Sequence, residues 1–227
     1  MNDMRKAPGD ACTVIVLAKA PEPGTVKTRL VPLLGADGAA ALHARLVERA
    51  LATAHAAAIG AVELACAPDA EHPFFRFCGE HYGAALARQS GGDLGARMHE
   101  ACSRALARAA SVLVIGADCP ALTPAHLREA RRALAEDREA VLAPAEDGGY
   151  VLIGLTRCDA RLFDGIAWGG SRVMAETRHR LAALAWNWVE LDTLWDVDRP
   201  EDYERLIASG LLDSGFPTTT PPRATAW

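Results

Sequence analysis

The sequence has no block of lysine or arginine. Its 24 basic residues are scattered among 29 acidic ones, leaving a formal net charge of −5. A sequence-independent grip on nucleic acid comes from neutralising phosphates, so that class is excluded, whereas a small anionic ligand in a local site is not. Long apolar runs are also missing: residues 14–18 and 112–115 fall far short of the ~20 residues that cross a bilayer, and no membrane span is expected. Arg5 and Lys6 precede a short apolar stretch, but Lys19 interrupts it and no small-residue cleavage site comes after it, so the expected compartment is the cytoplasm. The six cysteines (Cys12, Cys66, Cys78, Cys102, Cys119 and Cys158) form no CxxC and no zinc-like pairing with the seven histidines. They read as small buried side chains rather than disulfides. Aromatics are few, at 5 Trp, 5 Phe and 3 Tyr, and Trp186 with Trp188 is expected to pack one face of a strand rather than to stack bases. Glycine and proline are too scattered for low complexity. What remains is an ordinary globular chain, 227 residues long and half hydrophobic, with enough length for a substantial core.

Periodicity divides this chain into alternating strands and helices. Strands are expected at 12–18, 61–67, 84–89 (weak), 111–117, 140–144, 150–155 and 186–194. Helices are expected at 37–57, 73–81, 93–109, 124–135, 171–185 and 200–209. Asp93 and Thr123 are available as N-caps, and Pro124 suits a first helical position. The alternation implies an α/β sandwich with a mostly parallel central sheet, in one domain over 10–210. The Pro/Thr-rich residues 211–227 read as a mobile tail.

Ligands of open parallel sheets gather beyond the carboxyl ends of the strands, which directs attention to the segment leaving each strand. After the first comes KAPEPGTVKTRL, where Lys19, Lys27 and Arg29 surround a turn shaped by Pro21, Pro23 and Gly24. Such a loop offers fixed cations and backbone N–H groups to phosphate oxygens, or is simply a solvated basic turn. Val26 stands where a Walker A loop needs glycine, and no GxGxxG is present. Asp118 ends the most apolar strand, so its carboxylate emerges at the tip; Asp196 and Asp198 come after the last strand. Mg²⁺ takes one or two carboxylates plus substrate phosphates, and Asp118 paired with one of the other two satisfies that. Turn formation at Asp118 and support of the final helix by Asp198 are the structural alternatives.

In Asp147-Gly148-Gly149-Tyr150, Asp147 can orient hydroxyls or act as a base while the glycines admit close approach; a plain turn between adjacent strands explains the same letters. Gly92, Asp93 and Gly95 belong to a glycine-rich segment at a helix start, either facing a nucleotide or capping the helix. Trp168-Gly169-Gly170-Ser171 borders a possible acceptor pocket, lacks the last glycine of a GxSxG elbow, and places Ser171 as a helix cap. His43, His55, His99, His126 and His179 fall on expected helices or their first turns, where surface or satisfied core positions are the default.

AKAPEPGTVKTRL, QSGGDLGARM, IGADCPALT, APAEDGGYVLIGL and DVDRPEDYERL, in this order, resemble a bacterial family of proposed glycosyltransferases with the GT-A fold of nucleotide-diphospho-sugar transferases. That family is similar in turn to the 2-phospho-lactate guanylyltransferases. The resemblance covers residues 12–209. It implies a three-layer, Rossmann-like α/β/α sandwich that binds a nucleotide or nucleotide-sugar with Mg²⁺ or Mn²⁺. By position, Lys27 and Arg29 match the phosphate-loop cations, Asp118 the first metal-binding carboxylate, Asp198 the second with Asp196 as a nearby substitute, and Asp147 with Gly148 and Gly149 the sugar or acceptor loop. The chain departs from the pattern at Arg199, where relatives usually carry Thr, and at Gly169-Gly170, where a Ser/Thr pair is common.

The expectation is therefore a metal-dependent glycosyltransferase with a nucleotide-diphosphate sugar donor and an unidentified small-molecule acceptor. A nucleotidyltransferase joining an NTP to a phosphorylated small molecule would use the same loop and carboxylates, and a non-catalytic nucleotide-sugar binder is the third reading. The oligomeric state is left open.

Overall fold

Val14, Ile15 and Val16 are fully buried, which a β-branched run achieves only as a strand covered on both faces. That strand, β1 (Cys12–Lys19), lies inside the one sheet seen in the computed structural model, which describes residues 11–212. The other strands are β2 (Gly60–Ala67), β3 (Ala85–Arg88), β4 (Ser111–Gly116), β5 (Ala140–Pro144), β6 (Tyr150–Leu155) and β7 (Trp188–Glu190). Their spatial order is β3-β2-β1-β4-β6-β5-β7. All pairings are parallel except those of β6 with β4 and β5. The reversal has a simple cause: the connection between β5 and β6 is too short for a crossover and can only close a hairpin. The mostly parallel α/β sheet read from the sequence is thus observed, with β6 as its single reversed strand.

Helices α1 (Val31–Ala57), α2 (Pro73–Tyr82) and α4 (Pro124–Ala135) cover one face, and α3 (Leu94–Leu106) and α5 (Val173–Ala183) the other. Alternation along β1 sends Val14 and Val16 to the first face and Ile15 to the second, as the period of two requires. Leu46, Val47 and Leu51 of α1 are buried on the expected stripe. Gly35, at φ 71°, breaks this stretch into a short first turn and a long helix, and the long helix begins where the apolar period places it. Together with the preceding 3₁₀ turn (Thr28–Leu30) it is the one described helix long and apolar enough to cross a membrane, at mean hydropathy 1.3. Its buried stripe packs on the sheet.

A third cluster joins Leu30, Leu42 and Leu46 to Trp195, Val197, Leu206 of α6 (Pro200–Ser209), and Leu212. Leu211 and Leu212, grouped with the tail in the sequence reading, are held here: Arg49 donates to the Leu211 carbonyl and Arg45 to that of Leu212. Residues 213–227 lie outside the described residues. The expected strand 186–194 is shorter than its apolar letters suggested. After β7 the chain keeps only a lone bridge between Ala145 and Leu194, because Asp192 and Thr193 loop out into solvent.

Candidate active site

Because β1, β4, β5 and β7 run in one direction, the segments that leave them meet at one edge of the sheet and enclose a cavity of about 680 Å³. Lys19, Arg29, Asp118, Asp147, Asp196 and Asp198 all line it. Residues from four separate stretches of sequence are thereby brought together.

The first loop is shaped by a turn closed by Thr25 N–H donating to the Glu22 carbonyl, with Gly24 at φ 79° in its third position. Pro23 followed by glycine at positive φ is the chemistry of a type II turn, so Gly24 shapes the loop without lining the cavity. Lys27 comes next, a non-glycine residue at φ 49°, and this left-handed backbone turns its side chain inward. Its ammonium is sealed from solvent and donates to the Val197 carbonyl at 2.6 Å, with Asp118 Oδ1 also at 2.6 Å. Lys27, expected as a phosphate cation, lines the cavity and through these contacts bridges two parts of the site. Lys19 at the end of β1 and Arg29 remain exposed to the cleft, Arg29 being paired with Asp198.

Asp118 keeps nearly half its side chain open to the cleft while Lys27 holds Oδ1. Burial opposes its ionisation, but Lys27 first and then His43 override this and keep the carboxyl below its ordinary range. His43, from the buried stripe of α1, turns Nε2 to the Lys19 carbonyl at 3.0 Å and leaves Nδ1 3.8 Å from Asp118 Oδ1. Burial lowers the His43 pKa despite the pull of Asp118. Asp196 behaves oppositely. Burial, with Asp147 and then Asp118 as like charges, pushes it up to about 6. Backbone pairing fixes this neighbourhood, since Val197 N–H donates to the Asp118 carbonyl at 2.9 Å.

Other expected residues do different work. Asp93 caps α3, accepting from Ala96 N–H at 2.8 Å, and neither it nor Gly92 lines the cavity. Gly95 is buried, and a Cβ there would stand 2.7 Å from the Phe163 carbonyl and from Trp168 Nε1, so it lets α3 dock on the far wall. Gly148, at φ 92°, lies under the start of α5: its Cβ would be 2.1 Å from the Ser171 carbonyl oxygen, and its own carbonyl accepts from Met174 N–H. Gly149 lines the cavity and donates to Asp147 Oδ1 at 2.8 Å. Ser171 caps nothing; Arg172 occupies the N-cap of α5 without a side-chain bond. The alternative of Asp198 supporting α6 is not what is seen, since Asp202 reaches back to the N–H groups of Asp198 and Arg199.

His43, expected only at a default helical position, Gln89 and Tyr150, present only as members of their motifs, and Arg97, given no role from sequence, all line the cavity. Gln89 donates to the Ala18 and Ala65 carbonyls, joining the ends of β1 and β2. A signal existed for His43, the one ionisable residue on the otherwise apolar stripe of α1. Tyr150 meets Trp168 edge to face at 6.4 Å, giving the far wall an aromatic lining.

Among the described residues, no group of three or more His, Cys, Asp or Glu is assembled as a metal cage. Two carboxylates with substrate oxygens suffice for Mg²⁺ or Mn²⁺. The donor set fits such an ion, because Asp196 is crowded by Asp147 and Asp118 and the nearby Lys27 only partly offsets them.

A family model described as "Uncharacterized protein conserved in bacteria (DUF2064)" matches residues 33–170. No curated protein sequence matches the chain. Among solved structures, the chain is 30% identical to a protein of Desulfovibrio desulfuricans G20 provisionally described as a nucleotide-diphospho-sugar transferase, with a TM-score of 0.79 over 88% of this chain and 87% of that one. It shares its fold, at 11% identity and TM-score 0.60, with 4-diphosphocytidyl-2C-methyl-D-erythritol synthase of Anaerococcus prevotii, over 88% and 98% of the two chains. The fold is also that of glucosyl-3-phosphoglycerate synthase of Mycobacterium tuberculosis, solved with Mn²⁺, uridine diphosphate and glucosyl-3-phosphoglycerate, at 11% identity, TM-score 0.54 and coverage of 90% and 78%.

Proposed function

The chain belongs to the DUF2064 family of bacterial proteins, and from that premise we propose that it is a transferase moving a sugar from a nucleotide-diphosphate donor to a small-molecule acceptor, with a divalent cation, through a unit spanning residues 10–210. The observation that carries this reading is the meeting of Asp118, Asp147 and Asp196 in one cavity opposite Lys19 and Arg29. The 30% identity with the Desulfovibrio protein favours sugar transfer.

In this reading Asp118 and Asp196 hold the cation. The geometry favours Asp196 over the Asp198 expected from the family pattern, because Asp198 is engaged by Arg29. Such an ion, when bound, supplies charge neutralisation to a departing diphosphate. Lys19 and the free edge of the Arg29 guanidinium bind phosphate oxygens. Lys27 acts behind them, fixing Asp118 against the 196–198 segment. Asp147, exposed and with one oxygen fixed by Gly149 N–H, orients an acceptor hydroxyl or takes its proton.

Nucleotidyl transfer is the second reading, favoured by the fold shared with the erythritol synthase. Incubating the protein with sugar nucleotides or NTPs, with and without Mn²⁺, separates the two. Free nucleoside diphosphate from sugar nucleotides supports glycosyl transfer, and pyrophosphate from NTPs supports nucleotidyl transfer. The proposal as a whole is tested by melting the protein with the same ligands. A ligand that binds the native state must raise the melting temperature by mass action, and no shift with any nucleotide, with or without metal, would sink both readings.

A further inference from the structure

Away from the cleft, where α3 meets the segment after β6, two cysteines face one another. Cys102 is fully buried on α3, and Cys158 sits in the turn after β6, partly exposed. The Cys158 Sγ lies 3.7 Å from the carbonyl of His99. His99 and Cys102 are one turn apart on the same face of α3, so this contact sets Cys158 beside Cys102. Each thiol is the neighbour that most strongly shifts the other's ionisation, which agrees with the closeness the His99 contact imposes. Both sulfurs belong to the second core cluster, one inside it and one packed against its edge.

We infer that Cys102 and Cys158 form an oxidisable dithiol, with Cys158 the attacking sulfur, Cys102 the resolving one, and a peroxide the oxidant. Cys158 sulfur attacks one oxygen of hydrogen peroxide and the O–O bond breaks. The departing hydroxide takes up the thiol proton as water, leaving Cys158 as a sulfenic acid. Cys102 sulfur then attacks Cys158 sulfur; the S–OH bond breaks, and the hydroxide leaves with the Cys102 proton as a second water. Two thiols lose two electrons, the peroxide gains them, and one S–S bond is made.

The remaining cysteines show why this pair stands apart. Cys12, Cys66 and Cys78 are buried, and Cys119 keeps 8% exposure at the wall of the cleft. Burial raises the thiol pKa of each, Cys66 and Cys119 to about 12, whereas the neighbouring Cys102 thiol holds Cys158 below the ordinary thiol range against its own partial burial. Thiolate character and exposure together select the site of oxidation.

The test is peroxide titration of the folded full-length chain, then alkylation in denaturant and tryptic mapping without reductant. Cleavage after Arg97, Arg104, Arg157 and Arg161 isolates each cysteine in its own peptide, 98–104 and 158–161. The expected result is one cross-linked peptide pair, lighter by two hydrogens than the sum of its parts, with the other four cysteines still alkylated and both thiols restored by dithiothreitol. In the Cys158→Ser chain, whose change lies at a partly exposed position, Cys102 should keep its thiol at the same dose. A cross-link between any other pair overturns the inference. So does Cys158 reaching sulfinic acid while Cys102 stays alkylatable, or oxidation of Cys102 at the wild-type rate in the Cys158→Ser chain.

Discussion

Asp196 and Lys27 show how position in the cleft changes what an ordinary side chain does. Asp196 has a folded-state pKa near 6 against an ordinary 3.8, raised by burial and by Asp147 and Asp118. As pH rises from about 4 to about 6, the unfolded chain gives up this proton while the folded one retains it, so stability falls across that window and the penalty is complete above it. In metal-free protein kept in EDTA, Asp196→Asn is therefore expected to be more stable than wild type at pH 7.5, with the gap closing below pH 4. Urea melts at both values check it; a gap independent of pH would mean that the crowding is not felt. Lys27 carries the opposite expectation. Its side chain is 3% exposed and its ammonium bridges Asp118 and the Val197 carbonyl, so Lys27→Met takes the cation away from both. Breaking a buried pair costs about 3–5 kcal/mol, and since Asp118 is half exposed and can regain water, a loss of about 2–3 kcal/mol in urea unfolding is expected. A loss below about 0.5 kcal/mol would return Lys27 to the role of a free phosphate cation.

Elements explain why glycines and caps in the motifs were legible as motifs and ambiguous as chemistry. The sequence places Gly92, Asp93, Gly95 and Gly148 at strand ends and helix starts, and that placement agrees with the structure. A glycine needed for a ligand and a glycine needed for a neighbouring helix are the same letter, and only the backbone distances separate them. Gly148 is the clear case: with φ 92° and the Ser171 carbonyl 2.1 Å from where its Cβ would be, Gly148→Ala must push α5 away. Strain at positive φ and backbone displacement together should cost about 2 kcal/mol or more, read as a lowered urea midpoint. Asp93 allows a cleaner separation of roles. As an N-cap its loss in Asp93→Ala should cost about 1 kcal/mol, and Asp93→Ser should restore most of it, because serine caps equally well. If Asp93 instead bound substrate through its charge, Ser would restore stability in melts yet leave nucleotide-dependent stabilisation reduced. Strand periodicity fared better than helix boundaries. Buried runs such as residues 112–115 admit one reading, whereas the extra turn of α1 before Gly35 carries no apolar period that would announce it.

At the scale of the molecule, the sheet's edge was legible because parallel strands send all their exits one way, so the segments leaving them must be neighbours in space. The pairing inside that edge was not legible, because it depends on the third cluster, which is assembled from distant parts of the chain. Leu30, Leu42 and Leu46 pack there with Trp195, Val197, Leu206 and Leu212. Leu30 closes the turn that carries Arg29, and Trp195 and Val197 flank Asp196, so this small core sets the distance between the cationic loop and the acidic segment. Leu212, 5% exposed at the end of the described chain, is its least expected member. Leu212→Ala in the full-length protein opens a cavity in a cluster of seven buried side chains, and a loss of about 2–3 kcal/mol in urea unfolding is expected. The same change should also weaken Mn²⁺-dependent stabilisation by nucleotides, because Val197 and the Lys27 clamp share the cluster's support. An unchanged melting temperature would mean that residues 211–212 ride on the surface and that the site is held by its ion pairs alone.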